Sequence, residues 1–169
     1  NGAKLQTQTW IALCATLISA TALFFSMRSF REVNRPIITA EIKTHSGGNI
    51  AIAYSLHVYN VGNRPACKIR LHAKEKLIRN LISSNPPEKK HKEIFRCFSE
   101  KGLIPILHPG CETKNAFGAT SSQPEQNTIN YGFTLPVKIS YRDLNNRKYT
   151  SHLVLLVKDS DSFAGSTWN

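Results

Sequence analysis

The sequence predicts a mainly β chain: an antiparallel β-sandwich of about seven strands, preceded by one N-terminal transmembrane α-helix. A long uncharged apolar segment lies near the N-terminus, and beyond it short runs rich in Ile, Val, Tyr and Thr alternate with Gly, Pro and Asn. The 169 residues allow one folded domain with an appendage. A hydrophobic content of 41% beside a mean hydropathy of -0.27 excludes a disordered polar chain and a polytopic membrane protein.

The apolar segment is long enough to cross a bilayer. No charged residue lies between Leu5 and Met27, and the only polar residues from Trp10 onward are Ser and Thr, whose hydroxyls can bond back to the helix. A helix over 10–27 measures about 27 Å, close to the roughly 30 Å hydrocarbon core of a bilayer. The residues predicted at the membrane interfaces are Trp10 on one side and Arg28, Arg31 and Arg35 on the other.

Two other interpretations of this segment are a buried helix of a soluble core and a cleaved signal peptide. A soluble core helix of this length usually shows a polar stripe. The exit Phe24–Arg28 lacks the small-x-small pattern of a cleavage site. The sequence therefore favours an uncleaved anchor.

Basic residues are distributed unequally about the segment. Lys4 stands alone before it, whereas three arginines follow it within ten residues. The positive-inside rule then predicts a single-pass membrane protein with its large domain in the cytoplasm. The cysteine content agrees, because the three cysteines beyond the segment, Cys67, Cys97 and Cys111, cannot all pair within one chain.

Small residues recur at every fourth position of the segment, at Ala12, Thr16 and Ala20. They share one helix face, where the backbone of another helix could approach closely. They therefore predict a contact with another membrane-protein subunit. Alanine is common in membrane helices, so a stripe that faces lipid is the alternative.

The pattern changes from helical to extended after Arg35-Pro36. The predicted strands are Ile37–Lys43, Ile50–Tyr59, Ala66–Ala73, Leu103–Leu107, Thr113–Phe117, Thr134–Tyr141 and Lys148–Val157. Seven strands suit a sandwich. The predicted organisation is an N-terminal flank at 1–9, the transmembrane helix at 10–27, a basic juxtamembrane linker at 28–35, the β-sandwich at 36–158 with a basic insert at 74–102, and a C-terminal tail at 159–169.

Four turns have a physical basis in their residues. Gly47-Gly48 joins the first two strands, and Asn145-Asn146 predicts a type I′ hairpin between the last two, so both pairs of strands should be antiparallel. The segment 60–65 makes a tight corner. Pro109-Gly110 closes the run that begins at Ile104.

Three segments, Leu56–Leu71, Ile104–Glu112 and Phe133–Asp143, resemble the immunoglobulin-like β-sandwich domains of bacteria. Such domains carry an Asn-x-Gly corner followed by Ala and an alternating strand, then a Pro-Gly-Glu turn, which Cys111 interrupts here. The resemblance implies that the first motif crosses between strands and that the second precedes a strand of the opposite sheet. One membrane helix followed by such a sandwich also resembles bacterial single-span membrane-anchored proteins, which implies binding or scaffolding rather than chemistry.

The insert at 74–102 is too long for an ordinary connection. Lys68 to Lys101 holds ten Lys or Arg against four Glu. Apolar residues from Leu77 to Ile82 recur at helical spacing until Pro86-Pro87, and a second helical turn at 93–98 precedes Gly102. The residues predicted to form a basic interaction surface are Lys74, Lys76, Arg79, Lys89, Lys90 and Lys92.

Three interpretations of this basic surface remain open. It binds anionic lipid headgroups, it binds an acidic protein, or it is a solvated surface over a small local core. Nucleic acid is disfavoured, because no aromatic residues alternate on strands nearby. No ligand spacing for a metal is present around His108 and Cys111, no cofactor motif occurs, and scattered groups such as Glu112, Asp143 and His152 do not form a catalytic pattern. The chain is therefore not expected to be an enzyme.

The function expected from the sequence is a non-catalytic, membrane-anchored accessory or scaffolding subunit whose sandwich contacts other proteins at the membrane surface. The alternative is a membrane-tethered sensor that binds a ligand and signals through its helix, as in bacterial defence or envelope stress. A scaffold is expected to co-purify with other membrane subunits in a fixed stoichiometry, whereas a sensor is expected alone or as a homo-oligomer.

Overall fold

The structure is a computed structural model, and it describes residues 2–47, 50–83, 88–123 and 127–158. The chain divides into two compact units, Asn1–Arg35 and Pro36–Asn169. The first unit is a single helix and the second is a β-sandwich. The predicted tail at 159–169 lies outside the described residues.

Helix α1 (Gly2–Val33) contains the predicted span and continues beyond it. As expected, its hydroxyls bond back to the helix: the Oγ1 of Thr16 donates to the carbonyl of Ala12 at 2.8 Å. The helix ends where the Nδ2 of Asn34 donates to the carbonyl of Phe30 at 2.9 Å. The predicted linker at 28–35 is thus helical as far as Val33, because nothing before Asn34 and Pro36 interrupts the helix.

The second unit confirms the predicted mainly β, immunoglobulin-like fold. Its strands are β1 (Ile38–Gly47), β2 (Ala51–Asn60), β3 (Ala66–His72), β4 (Ile104–Leu107), β5 (Glu112–Ser121), β6 (Thr134–Arg142) and β7 (Lys148–Leu156). They form a three-stranded sheet in the order β1-β2-β5 and a four-stranded sheet in the order β4-β3-β6-β7. Alternate residues of each strand are buried between the sheets, as a half-buried strand requires.

The topology places consecutive strands as the turns predicted. The pairs β1–β2 and β6–β7 are antiparallel hairpins, and the chain crosses between the sheets after β2, β4 and β5. At Pro109-Gly110, the N–H of Cys111 donates to the carbonyl of His108 at 3.1 Å, and Gly110 has a φ of 69°. This is the geometry of a type II turn, in which glycine takes the positive φ.

The type I′ prediction for Asn145-Asn146 is wrong. Of the two residues only Asn146 has a positive φ, 62°. The N–H of Asn146 donates to the carbonyl of Asp143 at 3.0 Å, which makes a three-residue loop ending in a left-handed residue. The Oδ1 of Asp143 accepts the N–H of Arg147 at 2.9 Å and fixes this loop. The predicted turn at Gly47-Gly48 includes Gly48, which lies outside the described residues.

The predicted corner after β2 is organised by Asn60, which is 1% exposed. Its Nδ2 donates to the carbonyls of Arg64 at 2.7 Å and Leu107 at 2.9 Å, and its Oδ1 accepts the N–H of Gly62 at 3.1 Å. Leu107 belongs to the four-stranded sheet, whereas Asn60 ends a strand of the other sheet. One satisfied amide therefore joins both sheets where the chain crosses between them.

The insert forms α2 (Glu75–Leu81), α3 (Glu88–Cys97) and a 3₁₀ turn (Glu100–Gly102). The apolar residues of the predicted helical pattern enter the core: Ile78 and Leu81 of α2 are buried, as is Ile94 of α3. The first helix stops before Ile82, which pairs with Ile129 instead. Pro86-Pro87, the predicted stop, lies outside the described residues.

Candidate functional site

The outer surface of the four-stranded sheet is basic. Its strands contain no Asp or Glu. The Lys and Arg residues in these strands are all exposed or half-buried on the outer surface of the sheet. This follows from strand geometry, because apolar residues occupy the alternate positions that point into the core. These residues, here called the basic face, are Lys68, Arg70, Lys138, Arg142 and Lys148.

Strand register brings these cations together without compensation. Arg142 of β6 lies directly opposite Lys148 of β7, and Lys138 lies opposite His152. Like charges opposite each other on neighbouring strands destabilise a sheet. No salt bridge in the described part of the chain involves any of the five residues. The five residues surround one groove of about 590 Å³.

The backbone of β3 bulges at the edge of this groove. The register between β3 and β6 shifts between Cys67 and Arg70, and Lys68 between them has a φ of 53°. A non-glycine residue adopts this left-handed conformation at a cost in free energy. The bulge places Lys68 beside Arg70 at the groove.

Neutral polar groups, rather than carboxylates, serve the basic face. The Nε2 of His72 lies 2.8 Å from the Oγ of Ser140, and the Nη1 of Arg142 donates to the Oδ1 of Asn146 at 2.6 Å. The adjacent carboxylate of Asp143 is buried and accepts from the turn and from the hydroxyl of Tyr149 at 3.3 Å.

The predicted basic insert contributes unequally to this surface. Lys74 lies with His72, Lys138 and His152 around a second groove of about 600 Å³, so it extends the basic face. The other described basic residues of the insert do not line either groove. Arg79 is held by the carboxylate of Glu75 at 2.6 Å and lies over the ring of Phe95.

Lys76 and Lys92 of the predicted surface are exposed. The side chains of Lys89 and Lys90 lie outside the part of the chain that the structure describes. On α1, the predicted contact residues Ala12, Thr16 and Ala20 and the predicted interface residues Trp10, Arg28 and Arg31 are all exposed. The predicted interface residue Arg35 is paired with Glu32 at 3.6 Å.

The outer surface of the three-stranded sheet carries charges of both signs. Glu41 pairs with Lys43 at 3.1 Å, and Glu112 pairs with the Nδ1 of His57 at 3.2 Å. The hydrogen bond from His57 holds the pKa of Glu112 below its usual range. We call Glu41, Lys43, His57 and Glu112 the balanced face.

Side chains that bind metals do not converge in the structure. Within the described ranges, no group of three or more His, Cys, Asp or Glu residues is arranged to hold an ion. The four cysteines are free thiols. Cys97 is the buried one, and its burial raises the pKa of its thiol.

Sequence reasoning missed the basic face because it attended to the density of charge along the chain. The residues of the face are dispersed over β3, β6 and β7, and only strand pairing unites them. One signal was nevertheless available. The four predicted strands of the larger sheet lack acidic residues, and three of them carry Lys or Arg.

Comparisons with known proteins place the chain in a family. The sandwich is similar to the CARDB domain of a Pyrococcus furiosus protein solved in complex with di-metal ions, at 17% identity over 72% of this chain and 89% of that one, with a TM-score of 0.24. No curated protein matches the chain. A family model described as a domain of unknown function, DUF8453, matches residues 7–161, which include most of α1 and the whole sandwich, and the chain therefore belongs to the DUF8453 family.

Proposed function

We propose that the chain is a non-catalytic, single-span membrane-anchored accessory subunit, and that its sandwich binds an acidic surface of another membrane-protein subunit through the basic face. The observation that carries this proposal is the uncompensated charge of that face. Cations placed opposite one another cost folding free energy, and an anionic partner would offset that cost.

An acidic folded protein fits the basic face better than nucleic acid or lipid. Single-stranded nucleic acid binds through exposed aromatic side chains that stack on its bases, whereas the two tyrosines of the groove, Tyr141 and Tyr149, are buried or half-buried and stack on each other. Membrane-surface proteins also use aromatic side chains at the headgroup level. Exposed aliphatic side chains, including Ile106 and Val154, flank the cations instead. Aliphatic and basic side chains together suit a protein interface.

The membrane anchor is supported by α1. The stretch Gln8–Val33 is long and apolar enough to cross a membrane, and none of it is buried. The family match includes most of this helix together with the sandwich. Four residues separate the end of α1 from the start of β1, so an anchored sandwich would meet partners in the same membrane at a high effective concentration. Arg28, Arg31 and Arg35, at and beyond the C-terminal end of this stretch, favour a cytoplasmic sandwich.

Native mass spectrometry of the full chain extracted in mild detergent tests this proposal. An accessory subunit should be recovered with other membrane subunits in a fixed stoichiometry. The double variant Lys138→Glu/Lys148→Glu should lose these subunits. The control Lys76→Glu/Lys92→Glu makes the same change in net charge on exposed residues of the insert and should retain them.

Other results would contradict the proposal in distinct ways. Recovery of the wild-type chain alone or as a homo-oligomer would favour the sensor. Loss of the complex in the control alone would move the contact to the insert. A lipid contact driven by net charge would be favoured by a different result. In that case no protein partner would be recovered, and both double variants would bind vesicles of anionic lipid more weakly than the wild type and to the same extent.

A further inference from the structure

A cleft opens on the side of the sandwich where both sheets end. Strand β5 is an edge of the three-stranded sheet, and β4 is an edge of the four-stranded sheet. Helix α3 and the 3₁₀ turn lie over the space between these edges, and they enclose a cleft of about 520 Å³. This volume is within the range of pockets that hold small organic ligands.

The floor of the cleft is apolar and comes from the core of both sheets. Leu56 and Val58 of β2 and Leu71 of β3 line it, and each is less than 5% exposed. Across the cleft, the Nδ2 of Asn115 on β5 donates to the Sγ of Cys97 on α3 at 3.2 Å. This hydrogen bond joins the helix to the sheet edge.

The rim of the cleft carries charged groups from the insert. Glu93, Arg96 and Cys97 are spaced three and four residues apart and therefore share one face of α3. Lys101 follows on the 3₁₀ turn. The cations Arg96 and Lys101 are exposed, and neither forms a salt bridge within the described residues.

Gly102 allows close packing of the two elements that carry these cations. A Cβ at this position would lie 2.6 Å from the carbonyl oxygen of Arg96 and 2.8 Å from that of Cys97. Both are backbone atoms, which cannot move aside as a flexible side chain can. The absence of a Cβ lets the turn that carries Lys101 pack against the end of α3 that carries Arg96.

We propose that this cleft binds an organic anion with an apolar body, such as a medium-chain carboxylate. The apolar part occupies the floor between the sheets, and the anionic group lies at the rim against Arg96 and Lys101. A binding pocket of this type combines an apolar lining with a few convergent polar groups. The site shares no charged residue with the basic face, so it stands apart from the proposed accessory function.

Binding of ¹³C-carboxyl-labelled decanoate to the full chain in nanodiscs of neutral lipid tests the proposal. NMR of the carboxyl carbon should show saturable binding of one decanoate per chain beyond the partitioning into empty nanodiscs. Arg96→Gln/Lys101→Gln should weaken this binding about tenfold, because two charge-assisted contacts are lost. The control Arg64→Gln/Lys76→Gln removes equal charge from exposed residues that do not line the cleft and should leave the affinity unchanged.

Further probes separate the contributions of charge and of the apolar floor. Unlabelled decanol should compete at least about tenfold less well than unlabelled decanoate, and acetate should not compete. Cys97→Phe should fill the cleft and abolish binding. If this variant does not fold, the affinity of Arg96→Gln/Lys101→Gln tests the proposal. The proposal would be overturned if empty nanodiscs and nanodiscs that contain the chain took up equal amounts of decanoate. It would also be overturned if the wild type and Arg96→Gln/Lys101→Gln bound decanoate with equal affinity. Neither result would affect the native mass spectrometry of the subunit complex.

Discussion

The two outer faces of the sandwich are built from the same kind of strand but treat charge in opposite ways. On the balanced face, Glu41 and Glu112 each have a basic partner within 3.2 Å. On the basic face, Arg142 lies opposite Lys148, and the described residues provide no salt bridge to either. A face whose charges are paired is complete without a partner, whereas the basic face reaches its lowest free energy only with an anion against it.

The largest expected difference between the faces concerns partner binding. Lys138→Glu/Lys148→Glu should weaken binding of the subunit partner about 100-fold or more, since several close charge pairs would become repulsive. Lys114 of β5 lies opposite His57 on the outer surface of the three-stranded sheet. Lys43→Glu/Lys114→Glu makes the same charge change on that surface and should change binding less than about twofold. Surface plasmon resonance with the isolated partner measures both. Equal losses would show that net charge alone matters.

Ionic strength should separate the faces next. Because exposed charges are screened over about 10 Å at 0.1 M salt, raising salt from about 50 to about 500 mM should weaken partner binding about tenfold. Most of the change should fall on the association rate. The Lys138→Glu/Lys148→Glu chain should show a much flatter dependence. A salt-independent affinity in the wild type would contradict an electrostatic contact.

The effects of single reversals on stability should have opposite signs. Lys148→Glu converts a like-charge pair with Arg142 into an attractive pair and should raise the free energy of unfolding by about 0.5 kcal/mol. Glu112→Lys removes the partner of His57 and should lower it. Urea unfolding of the detergent-solubilised chain, followed by far-UV circular dichroism, measures both. A loss of stability in Lys148→Glu would mean that the basic face is not strained by its own charge.

The smallest effect is a dependence on pH that belongs to the balanced face. Since the pKa of Glu112 is lowered in the folded chain, its ionised form stabilises the fold above the unfolded value, about 4.3, and this contribution disappears as pH falls through the folded pKa. The stability difference between wild type and Glu112→Gln should therefore be present above the unfolded pKa and disappear as pH falls through the lowered folded pKa of Glu112. The stability difference between wild type and Lys148→Gln should stay constant over the same acidic pH range. If that difference disappeared in parallel with the one for Glu112→Gln, the contrast between the faces would be contradicted.

Local patterns were enough to predict the strands and two of the four turns. Runs of β-formers bounded by Gly, Pro and Asn identified all seven strands, and the chain turns at 60–65 and at Pro109-Gly110 as expected. The turn at Asn145-Asn146 was assigned the wrong type because asparagine tolerates both signs of φ, and Asp143 decides which residue becomes left-handed.

The candidate site could be predicted only in part, because it depends on contacts between distant segments. Charge density along the chain identified Lys74, which does lie beside the basic face. The pairing of β3 with β6, which brings Arg70 close to Lys138, joins residues almost seventy positions apart. The shift in register at Lys68 cannot be read from the surrounding residues. The cleft under α3 likewise requires the insert to fold back over two sheet edges.

Site-specific photo-crosslinking in the native membrane tests the central claim most directly. Thr150 lies opposite Ser140 at the centre of the basic face, whereas Thr39 lies on the outer surface of the three-stranded sheet. A photoreactive amino acid in place of Thr150 should crosslink the membrane subunit recovered in native mass spectrometry, through an acidic segment of that subunit. The same probe in place of Thr39 should not. Crosslinks of equal yield from both positions, or from Thr39 alone, would contradict the assignment of the basic face as the docking surface.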